Sequence, residues 1–387
     1  MIFNTLYGKL KTMKQEEFAI AVSEKEQEDA IREVSLKIKA IFPKHIGHLI
    51  ILFTPGYNPA NILRNINFTL KPHKILGLSA PFLIFEGKII QKGIIACCIN
   101  KEPLESEEAF LKKGESRDLK EIMEASFKKI KRGDFFFLSF LSPPVDPSAY
   151  LRSTRMALGR ILNLLGAGYI NKYSASGYQI VNNFLCEGMI SLALKGLKIN
   201  PLKLGGYIPL GKQFTITKAN ASRGIIREIN REPAVNIYKH YLEEKFETFI
   251  KNHLFSFYPL GIKNNGKIQL VNVLDALEDG SLLCLGEIRD GSCGNIMFLD
   301  SGILSEEIEK KLKTVKTKEA GLVFIINSLA RKRILRETAD KEVRSIKQAL
   351  GNRSRVIGLY SDYYLFPDEE RGEINIETSD ILVSFWQ

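Results

Sequence analysis

Residues 26–53 read EQEDAIREVSLKIKAIFPKHIGHLIILF. The first part of this stretch places four apolar side chains on one helical face: Ile31, Val34, Ile38 and Ile41. The last part, Leu49 to Phe53, is a continuous apolar run closed by the turn signal Thr54-Pro55-Gly56, which predicts a buried strand. A helix that leads directly into a buried strand is a building unit of α/β proteins, so the fold class follows from these residues.

The same order of elements returns near the other end of the chain. Gly321 to Ile326 is an apolar run of strand length, a helical pattern follows Asp340, and a second apolar run covers Arg355 to Leu359. The sequence therefore predicts an α/β chain (α+β mixed), in which mixed β-sheets pack against helices. Between the two regions we predict a helix from Ser148 to Leu165, followed by a loop at Gly166-Ala167-Gly168.

Two pairs of short segments resemble each other across the chain. Residues 74–79 (KILGLS) resemble 355–361 (RVIGLYS), and residues 86–89 (EGKI) resemble 371–374 (RGEI). Each match is followed by another apolar strand, which predicts an internal duplication with two related lobes. We place the boundary near residue 205, giving lobes at 1–205 and 206–387.

Length and composition limit the class of protein. The chain has 387 residues, of which 45% are hydrophobic and 26% charged, close to the average of soluble globular proteins. The longest apolar runs are too short to span a bilayer, and the first residues lack the apolar stretch of a signal peptide. Five cysteines in this length do not make a disulfide framework. We therefore expect a soluble, cytoplasmic protein without a membrane span.

The net charge of +11 is concentrated in residues 306–355. Lys341, Arg344 and Lys347 alternate there with an apolar stripe, which is typical of a solvated helix face. No aromatic residues are interleaved with these cations, as a surface for single-stranded nucleic acid would require. The pattern disfavours nucleic acid as a partner, and it leaves a basic scaffold that docks on acidic partners as an alternative.

Sequence signatures of catalysis and of metal binding are sparse. The chain contains no Cys-x-x-Cys, no Gly-x-Ser-x-Gly and no Walker loop. Adjacent Cys97 and Cys98 on a strand point to opposite faces, so we interpret them as buried small hydrophobes rather than metal ligands. We expect no metal, no cofactor and no catalytic residue. An enzyme is disfavoured but stays open, with a hydrolase or transferase using Cys or Asp chemistry in a cleft as the alternative.

From Gly211 onward the chain resembles a known family. GKQFTITKA (211–219) is followed by IREINREPAVNIY (226–238), FYPLGI (257–262) and DGSL (279–282). These segments resemble the join between the N- and C-terminal halves of FIST-domain proteins, a bacterial and archaeal sensory family, and the motifs that follow it. The N-terminal lobe fits through its first helix, its strand at Leu49 and Gly77-Leu78-Ser79.

The resemblance implies a cytoplasmic sensor that binds small molecules such as amino acids. It would act alone or with a separate signalling protein. Where the family has a Phe-Ser-Cys before an Arg, this chain has Asn327-Ser328-Leu329 and then Arg331. Asp362 lies near the position of a family Glu.

The candidate ligand site combines the resemblance with the predicted strand ends. An amino acid needs a cation for its carboxylate and an anion for its ammonium group, because unpaired charges are costly in a cleft. We assign these roles to Arg331 and Asp362, with Ser328, Tyr360 and Ser79 as hydrogen-bonding neighbours. On this hypothesis Arg331→Ala abolishes ligand binding and leaves the melting temperature of the apo protein nearly unchanged.

Overall fold

A computed structural model provides the fold. It describes residues 17–101, 104–112, 118–128, 130, 135–159, 163–170, 178–264, 266–314, 321–352, 354–368 and 373–387. The repeat match at Arg371-Gly372 lies outside the described residues.

The strands up to residue 195 are β1 (Phe18–Ser23), β2 (His48–Phe53), β3 (Lys74–Ser79), β4 (Leu83–Phe85), β5 (Lys88–Ile90), β6 (Ile94–Ile99), β7 (Glu105–Lys112), β8 (Phe136–Leu141), β9 (Leu164–Gly168), β10 (Gln179–Val181) and β11 (Phe184–Lys195). The later strands are β12 (Ile199–Leu204), β13 (Tyr207–Asn220), β14 (Ile225–Ile229), β15 (Glu232–Pro233), β16 (Leu260–Asn264), β17 (Lys267–Val271), β18 (Val273–Ala276), β19 (Leu282–Cys284), β20 (Cys293–Leu299), β21 (Leu322–Ser328), β22 (Arg355–Ser361), β23 (Tyr363–Asp368), β24 (Glu373–Glu377) and β25 (Ile381–Trp386). The helices are α1 (Gln27–Ile41), α2 (Pro59–Thr69), α3 (Leu119–Ser126), α4 (Pro147–Leu158), α5 (Asn236–Leu242), α6 (Phe246–Lys251), α7 (Ser301–Thr314), α8 (Leu329–Leu335) and α9 (Ala339–Leu350).

The described strands form three sheets. The first has the order β1-β6-β2-β3-β10-β11-β8-β9-β23-β24, with β7 also paired to β11. The second has the order β12-β25-β21-β22-β4-β5, and the third has the order β17-β16-β20-β13-β14-β19-β18, with β15 beside β14. The neighbours β2 and β3, β8 and β9, and β21 and β22 are parallel pairs. The mixed α/β class is thereby confirmed.

Three units of the same topology account for most of the first two sheets in the described part of the chain. Unit A consists of β1, β2, β3 and β6, unit B of β7, β8, β9 and β11, and unit C of β12, β21, β22 and β25. In each unit the order across the sheet is first, last, second and third strand, and the second and third strands are parallel. The sequence predicted two related lobes, and the topology adds unit B as a third relative.

Units A and B also share a local hydrogen-bond pattern at the end of their second strand. The Gly93 N–H donates to the hydroxyl of Thr54 over 3.1 Å, and the Thr54 N–H donates back to the Gly93 carbonyl. In unit B the Gly188 N–H donates to the hydroxyl of Ser142 over 3.0 Å, with the same return bond. The equivalence therefore extends from topology to individual contacts.

Each unit contributes a strand or a hairpin that pairs with a strand of another unit. After β3, the hairpin β4–β5 of unit A pairs with β22 of unit C. After β22, the hairpin β23–β24 of unit C pairs with β9 of unit B. After β9, strand β10 of unit B pairs with β3 of unit A. The exchange is cyclic, so the sheets cross the predicted boundary at residue 205. The boundary itself stays a prediction.

One apolar core joins the three units. It holds Leu52 from unit A, Leu138 from unit B and Phe324 from unit C, all nearly inaccessible to solvent. The opposite face of unit A packs on α1 and α2, and that of unit B on α3 and α4. Sheets covered on both faces require continuous apolar strands, which explains the run that begins after His48. Cys97 lies in the shared core and Cys98 in the helix-covered core of unit A, as their alternation predicted.

The third sheet is an insertion in unit C, between β12 and α7. The two ends of the insertion are adjacent, because Tyr207 pairs with Leu299 and the Asp300 N–H donates to the Gly206 carbonyl. Its own apolar core is separate from the core of the three units. The insertion packs near α4 and β24, and this contact region forms the cleft described below.

Candidate functional site

Arg331 lies in the first turn of α8, a helix that Ser328 caps by accepting a hydrogen bond from the Ala330 N–H. The Arg331 side chain is fully buried. Its Nε and Nη2 donate to the Oε2 of Glu342 over 3.1 and 2.6 Å. Its Nη1 donates to the carbonyls of Gly205 and Ser379 over 2.5 and 3.3 Å. The guanidinium is thus bound by the protein itself, with Glu342 as the counter-ion.

Electrostatics keep the Arg331 guanidinium ionised. Burial is the largest single influence and lowers the pKa of the Arg331 guanidinium, but the charge and hydrogen bonds of Glu342, together with Tyr207 and Asp380, outweigh it and the pKa is raised. The guanidinium also lies over the ring of Tyr207, 5.5 Å from its centroid, where burial raises the pKa of the phenol. Arg331 therefore carries its charge, and Tyr207 stays neutral, across the ordinary pH range.

Two further predicted residues belong to the same buried network. Nδ2 of Asn327 donates to Oε1 of Glu342 over 2.7 Å and to the hydroxyl of Tyr360 over 3.2 Å. The hydroxyl of Ser328 donates to the Thr378 carbonyl over 2.5 Å. Arg331, Ser328 and Tyr360 are therefore brought together, and each of them already has a protein partner.

Asp362 and Ser79 lie where units exchange strands. The Oδ2 of Asp362 accepts a hydrogen bond from the Ile170 N–H over 2.9 Å, just beyond β9. The hydroxyl of Tyr169 donates to the Tyr360 carbonyl over 2.9 Å, so the backbone of Tyr360 connects this crossover to the Arg331 network. Ser79 is the buried last residue of β3, a position equivalent to the end of β22. Their role as ligand contacts stays a prediction.

One expectation about Arg331 does not fit these contacts. We expected Arg331→Ala to leave the melting temperature of the apo protein nearly unchanged. A fully buried guanidinium paired with a buried carboxylate is inconsistent with that, because its removal leaves Glu342 charged and unpaired in the interior. The assignment of Arg331 as a ligand contact is untested by this argument.

A cleft of about 500 Å³ lies between α4, the third sheet and β24. We call it the α4 cleft, and its charged and polar lining consists of Ser148, Arg152, Arg155, Gln269, Glu287, Arg289, Ser292 and Asn375. Arg152 and Arg155 are three residues apart on α4 and so share a helix face. Glu287 and Arg289 stand on the loop between β19 and β20. The cleft therefore offers guanidinium groups from two separate walls.

The one ion pair described inside the α4 cleft is weak. Arg152 Nη1 lies 3.4 Å from Oε1 of Glu287, and both side chains are about half exposed. An exposed pair at this distance contributes less than about 1 kcal/mol. A bound ligand can therefore take over either partner at little cost. Guanidinium groups bind carboxylates and phosphates with two parallel hydrogen bonds, so the cleft suits acidic small molecules.

A second cavity, of about 520 Å³, is lined by residues of β12, β17 and β24. Gln269 and Asn375 line both cavities. Lys203 in the second cavity lies 3.3 Å from both Glu377 and Asp380. Its burial would lower the pKa of the Lys203 ammonium, but the two carboxylates outweigh burial and raise it. The charge of Lys203 is therefore balanced by carboxylates of the protein itself. This makes the second cavity a weaker candidate for a ligand site than the α4 cleft.

The sequence did not reveal the α4 cleft. Arg152 and Arg289 are far apart in the chain, and each of them alone is indistinguishable from a solvated surface cation. The only local signal is the glycine-flanked loop from Gly286 to Gly291, where both glycines have positive φ angles of 111° and 77°. Such a loop carries polar side chains into a cleft, but its partner wall depends on the insertion.

The described residues hold no cluster of three or more His, Cys, Asp or Glu side chains placed to bind a metal. In the same part of the chain, no helix is long and apolar enough to cross a membrane. On α9, Val343, Ile346 and Leu350 are buried while Lys341 and Arg344 are exposed, as the amphipathic pattern predicted. The prediction was wrong for Lys347, whose side chain is only 16% exposed because its ammonium group pairs with Glu86 over 2.6 Å and donates to the Ser354 carbonyl.

Family comparisons agree with the resemblance noted from Gly211 onward. A family model described as the FIST N domain matches residues 48–232, and one described as the FIST C domain matches residues 234–362. The matches cover most of the chain, which therefore belongs to the FIST family. FIST domains are sensory domains, and membership suggests a role in signal transduction. A search of curated proteins found no match.

Proposed function

We propose that this chain is a small-molecule-binding sensory protein whose ligand occupies the α4 cleft. One observation carries the proposal: the cleft is lined by α4 from the FIST N match and by the loop with Arg289 from the FIST C match. A ligand held by both matched regions changes how they pack on each other. Such a coupling is what a sensor needs in order to report occupancy.

The ligand chemistry follows from the lining. An α-amino acid finds a cation for its carboxylate in Arg152 or Arg289 and an anion for its ammonium group in Glu287. The amino-acid ligand therefore remains our proposal. The five residues assigned from the sequence stay predicted ligand contacts: Arg331, Ser328, Tyr360, Asp362 and Ser79. Their protein partners favour a role in supporting the site rather than in contacting the ligand. The buried network reaches β24 through Thr378 and Ser379, which directly follow its last residue, Glu377.

The cytoplasmic setting is also part of the proposal. Its support is the state of the cysteines: all five are free thiols, and four of them are buried. Free thiols are typical of reducing compartments. We further propose a separate signalling protein as the partner that reads the ligand state.

A thermal-shift screen against amino acids, small organic acids and nucleotides tests the site. A compound that binds only the folded chain raises the melting temperature by mass action. We expect a saturable rise with one chemical class, and we expect Ser148→Trp to remove the rise because its indole fills the cleft. The matched control Ser222→Trp lies on an exposed turn and should keep the full shift. A shift that survives Ser148→Trp would place the ligand elsewhere.

An enzyme in the same cleft, a hydrolase or a transferase, is the second candidate, since Ser148 and Ser292 supply hydroxyls there. Recovering the compound that raises the melting temperature, after prolonged incubation with the protein, distinguishes a sensor from an enzyme. A sensor returns the compound unchanged by mass spectrometry, whereas an enzyme yields product. A basic docking scaffold, the remaining alternative, would show partner binding that collapses with salt.

A further inference from the structure

The outer face of unit A carries a local excess of positive charge. No Asp or Glu occurs between Glu33 and Glu86, a stretch that includes the end of α1, all of α2 and the loops leading into β2 and β3. Lys37 and Lys74 in this stretch pair with Glu33 and Glu108, so their charges are balanced. Four further cations are exposed, and no described carboxylate pairs with them: Lys39, Lys44, Arg64 and Lys71.

The fold brings these four cations to one surface. Each of the helices α1 and α2 precedes one strand of the parallel pair β2–β3, and both pack on the same face of unit A. The helices therefore run side by side in the same direction and end at the same edge of the sheet. The loops that follow them are in contact, because the His73 N–H donates to the Ile46 carbonyl over 2.9 Å. The cations stand on these two helices and these two loops.

Large apolar side chains project from the same surface. Phe68 on α2 is 83% exposed, and Leu36 on α1 is 56% exposed. Arg64 lies four residues before Phe68, so the guanidinium and the ring share the side of α2 that points away from the sheet. We call this surface the α1–α2 face, and it consists of Leu36, Lys39, Lys44, Arg64, Phe68 and Lys71. Exposed apolar side chains among cations are typical of a surface that binds a protein or a membrane.

We propose that the α1–α2 face binds the anionic surface of a phospholipid bilayer. The cations attract acidic headgroups, and the projecting apolar side chains enter the boundary between headgroups and acyl chains. The exposure of Phe68 favours a bilayer over an acidic protein, because a protein partner needs a pocket shaped for the ring and a bilayer does not. This contact is peripheral and needs no spanning helix. It is independent of the α4 cleft, which other elements form, so either proposal can fail without the other.

Co-sedimentation of the ligand-free chain with lipid vesicles tests the inference. We expect binding to vesicles of equal parts phosphatidylcholine and phosphatidylglycerol, little binding to phosphatidylcholine alone, and release by high salt. Lys39→Gln combined with Lys71→Gln should weaken binding about 25-fold, because each cation near an anionic surface contributes about five-fold. The matched control, Lys341→Gln combined with Arg344→Gln, removes two exposed cations of α9 and should bind nearly as tightly as the native chain.

The apolar contribution has its own pair of variants. Phe68→Ser should weaken vesicle binding about ten-fold, because the ring no longer leaves water for the bilayer. Met156→Ser removes another exposed apolar side chain, on α4, and should leave binding unchanged. All the substituted side chains are exposed, so the urea midpoint of each variant should equal that of the native chain.

Three outcomes would overturn the inference. The first is no preference for vesicles with phosphatidylglycerol. The second is an equal loss of binding in the α1–α2 and α9 charge variants, because net charge alone then explains the attraction. The third is vesicle binding that Phe68→Ser leaves unchanged and that poly-L-glutamate displaces, which would assign the α1–α2 face to an acidic protein.

Discussion

Arg331→Met is expected to lower the free energy of unfolding by about 3–5 kcal/mol. The substitution removes the counter-ion of Glu342, whose side chain is 3% exposed, and leaves a charge in the interior. It also removes the donor to the carbonyls of Gly205 and Ser379. The measurement is urea denaturation followed by circular dichroism, with the change read from the midpoint at constant slope.

A second variant identifies the cause of that loss. Arg331→Met combined with Glu342→Gln removes both charges and retains an oxygen that can accept from Asn327. We expect the double variant to recover a substantial part of the lost stability, because the unpaired charge is then gone. A loss below about 1 kcal/mol for Arg331→Met alone would contradict the buried pair as described.

Gly358→Ala is expected to lower the free energy of unfolding by about 2 kcal/mol or more. A Cβ at Gly358 would lie 2.1 Å from the backbone oxygen of Ile325 on the neighbouring strand β21. That strand is paired on both sides, with β22 and β25, so its backbone cannot easily yield. Gly166 in unit B meets the same obstacle, since its Cβ would lie 2.3 Å from the Ser139 oxygen.

The three related units supply graded controls for this prediction. Gly77 occupies the corresponding strand of unit A, but its nearest neighbour is the Cβ of Ile180 at 2.7 Å, a side-chain atom. We expect Gly77→Ala to cost less than Gly358→Ala, because a side chain can shift more easily than a paired backbone. Gly56→Ala, with nothing within 4 Å, should change stability by about 1 kcal/mol or less. Equal losses at Gly56 and Gly358 would disprove the close approach of the strands.

Periodicity was sufficient for the first helix and strand. The sequence predicted a helix that carries Ile31 to Ile41 on one face and a strand from Leu49, and the structure has α1 at Gln27–Ile41 and β2 at His48–Phe53. Both predictions are correct because α1 has one buried face and β2 is buried on both faces, so the apolar pattern of each element matches its burial. The FIST resemblance was also readable, because its segments are contiguous in the chain.

Unit B was missed for a specific reason. The helix predicted from Ser148 to Leu165 ends as α4 at Leu158, and the predicted loop at Gly166–Gly168 is part of strand β9. The glycines there provide space for neighbouring strands instead of turning the chain. A Cβ at Gly168 would lie 2.2 Å from the hydroxyl of Tyr363, a residue almost 200 positions away in the sequence. Local sequence patterns do not predict such long-range contacts.

The candidate site was predictable only in its chemistry. The sequence grouped Arg331, Ser328 and Tyr360 in one site, and the structure places them in one buried network, with Ser328 and Tyr360 near the ends of neighbouring strands and Arg331 in the first turn of α8. Their role as ligand contacts stays a prediction. The sequence could not show that Glu342 neutralises Arg331, since that carboxylate lies on the buried face of α9. Nor could it join Arg152 to Arg289, because the insertion between β12 and α7 brings the two walls together.

Hydrogen–deuterium exchange locates the small molecule that we propose to bind in the α4 cleft. The chain is measured with and without a saturating amount of the compound that raises its melting temperature most. We expect slower exchange in peptides that cover α4, residues 286–292 and residues 374–376, with no change in α9. Slower exchange confined to segments outside the α4 cleft would contradict this proposal.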